Sequence, residues 1–407
     1  MTRISAASLL MCIVACVAQS AHAVETDTAM VDPNVGNTFT VHVADQFLYD
    51  DNLFRLPNYY IDLARLIGPT AVRQDHIDTI STGADGLWTL GSHVVALDLL
   101  ADYNHYSHNT DLDNSGGSGK LTWNFQAGPI LTGGAGASFS RSLANFSNTV
   151  LLFTDDEIDQ TQYFGSLQLR TGLHWNLIGG LNYADSTHSA FIERFDDLST
   201  RSGNFGAQYV SLLNNTITGV YQYTQGIFAD GGPERRFRDS TETVKLDYTF
   251  GADTLLDASA GHQSHDSTAA YSSFGGSIWD VKLQWHPAPK TGLGVEVWRR
   301  LTAYAEAQSD YFVARGYSLS PTWQPREKIK LSLVFLWDKH QFFSSYDVPI
   351  TTIQRRDDIN SQQLMLTYSP RKVVTMNLSY TFQKRVSDIA EFTYDDRLAA
   401  VSVTVNF

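Results

Sequence analysis

Arg397 to Phe407 is the stretch that most constrains this chain. Ala399, Val401, Val403, Val405 and Phe407 alternate strictly with Ala400, Ser402, Thr404 and Asn406. A period of two sets one apolar face against one small or polar face, which describes a strand and not a helix. The same pattern recurs along the chain. Phe39, Val41, Val43, Phe47 and Tyr49 share a face. Val95, Leu97, Leu99, Ala101 and Tyr103 stand opposite Ala96, Asp98, Asp102 and Asn104. Trp279, Val281, Leu283 and Trp285 oppose Asp280, Lys282 and Gln284, and Ile329 to Trp337 repeats the pattern against Lys330 and Ser332.

The links between strands alternate in length. Short ones fall at Gly91-Ser92, Gly128 to Thr132, Asn176, Leu212 to Asn215, Gly251 to Asp253, His286 to Lys290, Pro321 to Glu327 and Ser369 to Lys372. Long polar ones lie between them, among them Asp51 to Arg73, Ser107 to Ser118, Ala144 to Asp159 and His340 to Gln354. Short turns on one side and long loops on the other are the plan of an up-and-down transmembrane barrel. The pattern predicts an all-β fold: an antiparallel transmembrane β-barrel over residues 38–407, of about 18 strands, with 16 as the alternative even count. A soluble sandwich has no reason to keep the alternation. The aromatics fit two membrane interfaces: Trp175, Phe250, Trp285, Tyr368 and Phe407 beside short turns, and Tyr103, Trp123, Tyr223, Trp337 and Phe382 toward long loops.

The N-terminus reads as an export signal over residues 1–23. Arg3 precedes an apolar run, and Ala21-His22-Ala23 supplies a cleavage site before Val24. A lipoprotein signal is the rival, because Ile13-Val14-Ala15 leads into Cys16. Residues 24–37 then form a short periplasmic segment. Both cysteines, Cys12 and Cys16, lie within the signal, so no disulfide framework or cysteine metal site follows it. The net charge of −14 argues against a nucleic-acid partner.

Enzyme signatures are absent: no Gly-x-Ser-x-Gly, no His-Glu-x-x-His and no P-loop. His174 falls on the polar face, and His262 faces outward without an evident serine partner. No cofactor is expected. The acidic pairs Asp155-Asp156, Asp196-Asp197, Asp357-Asp358 and Asp395-Asp396 offer ligands for divalent ions that bridge lipopolysaccharide, but with no recurring metal-ligand spacing solvated loop carboxylates are the favoured reading. The inward face carries the chemistry. Asp98, Asp102, Asp247, Asp257, Asp280 and Glu296 are set against Lys120, Arg170, Lys245, Lys282 and Lys330, among many Asn and Gln. Charge is tolerated there because the interior is wet. On the lipid face a Lys or Arg costs about 2–4 kcal/mol at the midplane. Trp298 is the best inward ring for stacking on a sugar. Each residue has a bland counterpart, a lumen ion pair that merely ties strands together.

Asp50-Asp51-Asn52-Leu53-Phe54-Arg55-Leu56-Pro57 stands apart, because Leu53, Phe54 and Leu56 are too apolar for a free loop tip. With the signal before it and the terminal Phe407 as an assembly signal, this stretch resembles the EpsL-type outer-membrane proteins. Those belong to a β-barrel porin group encoded with exopolysaccharide operons and exosortase systems. The resemblance implies a Gram-negative outer-membrane location and passage of an exopolysaccharide chain. The implied partners are outer-membrane lipids, the barrel-assembly machinery and periplasmic export components. It carries over no catalytic residue, and Asp50 to Pro57 remain a signature of unassigned role. Two other readings stay open: a general or solute-specific porin, and a structural barrel anchoring surface material, its lumen plugged by the Asp51 to Arg73 segment.

Overall fold

The computed structural model describes residues 36–57, 72–148, 155–191, 193–229, 235–267, 273–303, 311–343 and 355–407. The signal peptide, Cys16, most of the 24–37 segment and the middle of the Asp51 to Arg73 loop lie outside these residues.

The described chain forms β1 (Thr38–Asp50), β2 (Asp75–Leu90), β3 (His93–Tyr106), β4 (Asn114–Ala127), β5 (Leu131–Leu143) and β6 (Glu157–Arg170). Then come β7 (Trp175–His188), β8 (Leu198–Val210), β9 (Thr216–Phe228), β10 (Arg235–Phe250), β11 (Thr254–Ser267) and β12 (Phe274–Ala288). The last six are β13 (Thr291–Ala303), β14 (Tyr311–Arg326), β15 (Ile329–Phe343), β16 (Arg356–Arg371), β17 (Val374–Ser387) and β18 (Tyr394–Asn406). Each pairs antiparallel with its neighbours in sequence, and β1 closes on β18 in the register His42 to Asn406 through Asp50 to Leu398. The result is a closed 18-stranded barrel. Closure pairs the edges that an open sheet would leave bare, as a bilayer requires. Among the described residues no helix is long and apolar enough to cross a membrane.

Alternation gives the wall its two faces. Val43, Phe47, Leu181, Leu378, Tyr380 and Val401 are large apolar groups left exposed on the outside. A soluble protein does not carry a continuous apolar belt of this kind, whereas a lipid-embedded barrel must. Inward positions are polar and covered, such as His42, Thr218, Gln222 and Ser402. Gly91, Gly128 and Gly251 take φ of 64–65° at three short turns, a region where any Cβ is strained.

Several local expectations need correction. The links at Gly128 to Thr132, His286 to Lys290, Ser369 to Lys372, Ser107 to Ser118 and Ala144 to Asp159 are shorter, because β5 begins at Leu131, β12 runs to Ala288, β16 runs to Arg371, β4 begins at Asn114 and β6 at Glu157. Asn176 is not in a link; it belongs to β7, and the turn occupies 171–174, where His174 Nδ1 meets the Val210 carbonyl at 2.8 Å. Pro321 lies within β14, which runs on to Arg326. Trp123 belongs to the short-turn side of the barrel, because it stacks on His93, the first residue of β3, at 5.9 Å. These slips share one cause: polar or ring residues at a strand end are indistinguishable from turn residues until pairing is known.

Candidate functional site

Carrying the alternation through the strand pairings puts Asp98, Asp102, Lys120, Arg170, Lys245, Asp247, Asp257, Asp280, Lys282, Glu296, Trp298 and Lys330 at inward positions. Asp98 is the cross-strand partner of Lys120. Lys282 sits between Asp257 on β11 and Glu296 on β13. Arg300 reaches both Asp280, with Nε 2.8 Å from Oδ2, and Glu296. Asp247 accepts a hydrogen bond from the Thr216 hydroxyl, and Asp102 one from Asn104 Nδ2 at 2.9 Å. Arg170 and Lys330 stand nearer the short-turn end, opposite Asn176 and Thr367. Partly exposed pairs of this kind contribute about 0–1 kcal/mol each. Their main effect is to line the interior with both signs of charge.

Trp298 does not offer a stacking face. It points inward but is only 4 % exposed, packed with Phe312, Ala314 and Phe342 and covered by the Arg300 guanidinium 5.1 Å from its centroid. Its ring lies over Gly316, where an added Cβ would come within 2.4 Å. Arg300 and Gly316 are the groups that a reading of one strand at a time misses.

The Asp50 to Pro57 segment folds against the inner wall at the long-loop end. Leu53, Phe54 and Leu56 are buried with Ile77, Tyr106, Leu112 and Phe146, and Leu48 packs alongside. Asn52 holds the turn: Nδ2 donates to the Leu56 carbonyl at 3.0 Å and to the Asp395 carbonyl at 2.8 Å, while Oδ1 accepts from Leu56 N–H. Arg55 takes φ of 54°, unusual for a residue with a side chain. Its Nη1 donates to both Asp50 oxygens, to the Asn52 carbonyl at 2.6 Å, and approaches Asp396 at 3.2 Å. Burial opposes the Arg55 charge, but Asp50 and Asp396 outweigh it and hold the pKa above its ordinary value.

The mouth is narrowed from the other side as well. Phe146, in the β5–β6 link, meets Phe54 edge-on at 5.1 Å, and the neighbouring Ser147 carbonyl accepts from Arg385 of β17 at 2.8 Å. A link from β5 that reaches β17 crosses the opening, since β18 and β1 to β4 lie between them around the wall. Arg385 also donates through Nε to Asp357 at 2.8 Å, and Arg355 Nη2 lies 3.1 Å from the same oxygen. Arg355 rests on the Phe392 ring at 3.6 Å.

The acidic pairs are therefore not simply solvated. Asp156, Asp357 and Asp396 are buried, at 4 %, 1 % and 0 % exposure. Neighbours in an extended chain point to opposite faces, so for Asp357 and Asp396 on β16 and β18 one member of the pair enters the barrel. The outward His262 does have a serine opposite it, Ser277, with Glu242 on its other side. Ser277 Oγ, however, accepts from Arg299 Nη1 at 3.2 Å, and His262 Nε2 lies toward Gly275. Among the described residues no hydrogen bond joins the histidine to the serine, so the pairing that activates a serine nucleophile is not formed.

Residues 230–407, somewhat under half of the chain, match the family model described as "Putative beta-barrel porin 2". No curated protein matches the sequence. Among solved structures, OccK2 (OpdF) of Pseudomonas aeruginosa, determined in complex with glucuronate, is similar over 91 % of this chain and 98 % of its own, at 11 % identity and a TM-score of 0.50. The outer membrane protein opdK of the same organism covers the same shares at 11 % identity and 0.49. The siderophore receptor PirA of Pseudomonas aeruginosa is similar at 10 % identity and 0.45, over 90 % of this chain and 80 % of its own. At such identities the likeness concerns the fold. With its closed wall and apolar outer belt, the chain is an 18-stranded porin-like β-barrel of the outer membrane.

Proposed function

We propose that this barrel is a passive conduit for a hydrated carbohydrate chain, an exopolysaccharide passing outward during its synthesis. The observation that carries the reading is the wall: charges of both signs, interleaved with Asn and Gln, inside a barrel of 18 strands. Barrels of 16–18 strands leave an aqueous channel, and a mixed, amide-rich lining suits a neutral or weakly charged polymer better than one selected ion. The exopolysaccharide itself comes from the Asp50 to Pro57 resemblance. The sequence carries no P-loop, so periplasmic export partners or polymerisation would drive the chain. A general solute porin would share the same wall.

A second reading, a barrel closed at rest, is favoured by the ties across the mouth at Phe54–Phe146 and Arg385–Ser147. Single-channel conductance separates the readings. The refolded wild type should conduct, and exopolysaccharide fragments should block the current where unrelated sugars do not. Phe146→Ala, which loosens the mouth, should raise conductance. A large current indifferent to the fragments would sink the polysaccharide reading in favour of a general porin. A silent wild type that opens in Phe146→Ala would support the closed barrel.

Phe407 ends the outward face and its backbone pairs with Val41. We infer that it serves as the assembly signal. Deleting it should lower the folded, heat-modifiable fraction in outer-membrane preparations severalfold while leaving detergent refolding nearly unchanged. Equal loss in both would mean that Phe407 acts only through packing.

A further inference from the structure

We propose that Asp50, Asp51 and Asp396 bind a divalent cation of the calcium class at the extracellular end of the seam where the first and last strands close the barrel. Asp50 ends β1 and pairs with Leu398 of β18, two residues after Asp396. One carboxylate oxygen from each of the three lies within 4.8 Å of the other two. Calcium binds oxygen at about 2.3–2.6 Å, so oxygens on opposite sides of one ion sit about 4.6–5.2 Å apart. The three carboxylates can therefore reach a single ion without moving the backbone. Magnesium demands near-octahedral geometry and keeps most of its waters, which disfavours it where three protein carboxylates converge.

A second observation points to the same ion. The Asp396 side chain is fully buried, yet no N–H or O–H is directed at either of its oxygens. Arg55 Nη1 comes within 3.2 Å, but its hydrogen bonds go to Asp50 and the Asn52 carbonyl. Buried carboxylates normally accept several hydrogen bonds, and one that accepts none is costly. Charge leads to the same place. Asp50 and Asp396 flank the Arg55 guanidinium, while Asp51 accepts the Arg397 backbone N–H on Oδ1 at 2.7 Å and has the Arg397 guanidinium 3.7 Å from Oδ2, so three clustered carboxylates face one close cation. One divalent ion brings the group close to neutral. Asp51 is partly exposed, so the site opens toward the extracellular medium, from which water would complete the six to eight ligands that calcium takes. All three donors are hard carboxylate oxygens, which favour such ions over softer metals. The ion would join β1, the start of the signature segment and β18, giving the acidic residues of that segment a role independent of what passes through the lumen.

The test uses the full-length refolded barrel, stripped with a chelator and titrated with calcium chloride by calorimetry. Thermal unfolding is followed with and without the ion. Wild type should bind one calcium per chain and unfold at a higher temperature with it. Asp396→Asn and Asp51→Asn should each weaken binding by about 100-fold, because affinity follows ligand charge, and should lose the calcium-dependent shift. Asp111→Asn, an exposed carboxylate elsewhere, should retain both. Asp51 is partly exposed, so its variant reports even if Asp396→Asn does not fold. Wild type that takes up no calcium at millimolar concentration overturns the proposal, as does unchanged affinity in both variants. If wild type ignores calcium and Asp396→Asn is at least as stable, the cation site is refuted.

Discussion

Asp357→Ala is expected to destabilise the barrel by about 3–5 kcal/mol, the usual cost of removing one partner from a buried charge group. Asp357 is enclosed, and the guanidinium groups of Arg355 and Arg385 converge on it from the loop before β16 and from β17. Deleting the carboxylate leaves two buried cations facing each other. The damage should spread to the mouth, because Arg385 also fixes the Ser147 carbonyl. Urea unfolding from liposomes measures the first effect, and protease sensitivity of the β5–β6 link measures the second. Asp358→Ala is the matched control: its side chain is exposed and pairs with the exposed Lys339 at 3.2 Å, so a loss below about 1 kcal/mol is expected. Equal losses at the two positions would mean that the inward cluster does not hold the mouth.

Val401→Arg should cost about 2–4 kcal/mol, as a cation near the middle of the lipid-facing belt does. Val401 lies mid-strand on β18 at 51 % exposure, flanked by the equally outward Phe47 and Leu378. Thr404→Lys, on the inward face of the same strand, should change stability by under about 1 kcal/mol, because the interior is wet. Unfolding of both variants from the same liposomes gives the comparison. A Val401→Arg barrel as stable as Thr404→Lys would contradict the lipid-facing assignment of that strand.

The strand count, the closed antiparallel order and the face on which each lumen charge falls are written locally. Period-two patterning and the glycines of short turns act over a few residues, and a membrane barrel must satisfy them strand by strand because the bilayer supplies no hydrogen bonds. Asp98, Lys120, Lys282 and Glu296 could thus be placed inward from their neighbours alone. The apolar character of Leu53, Phe54 and Leu56 likewise announced that their segment packs against something.

What it packs against was decided only by the tertiary structure. Phe54 meets Phe146 and Arg385 meets Ser147 because β5 and β17 face a common opening, a fact absent from either stretch of sequence. The same holds for Trp298. Alternation turns it inward, but whether its ring is free or covered depends on Phe312, Phe342 and Arg300 from its own and neighbouring strands. Asp357 and Asp396 look like surface acids beside their twins until closure of the wall sets the arginines around one and two further carboxylates around the other. Faces follow from the two-residue repeat of the extended chain, whereas burial, ion pairing and the narrowed mouth arise from contacts between strands far apart in sequence, which only closure of the barrel brings together.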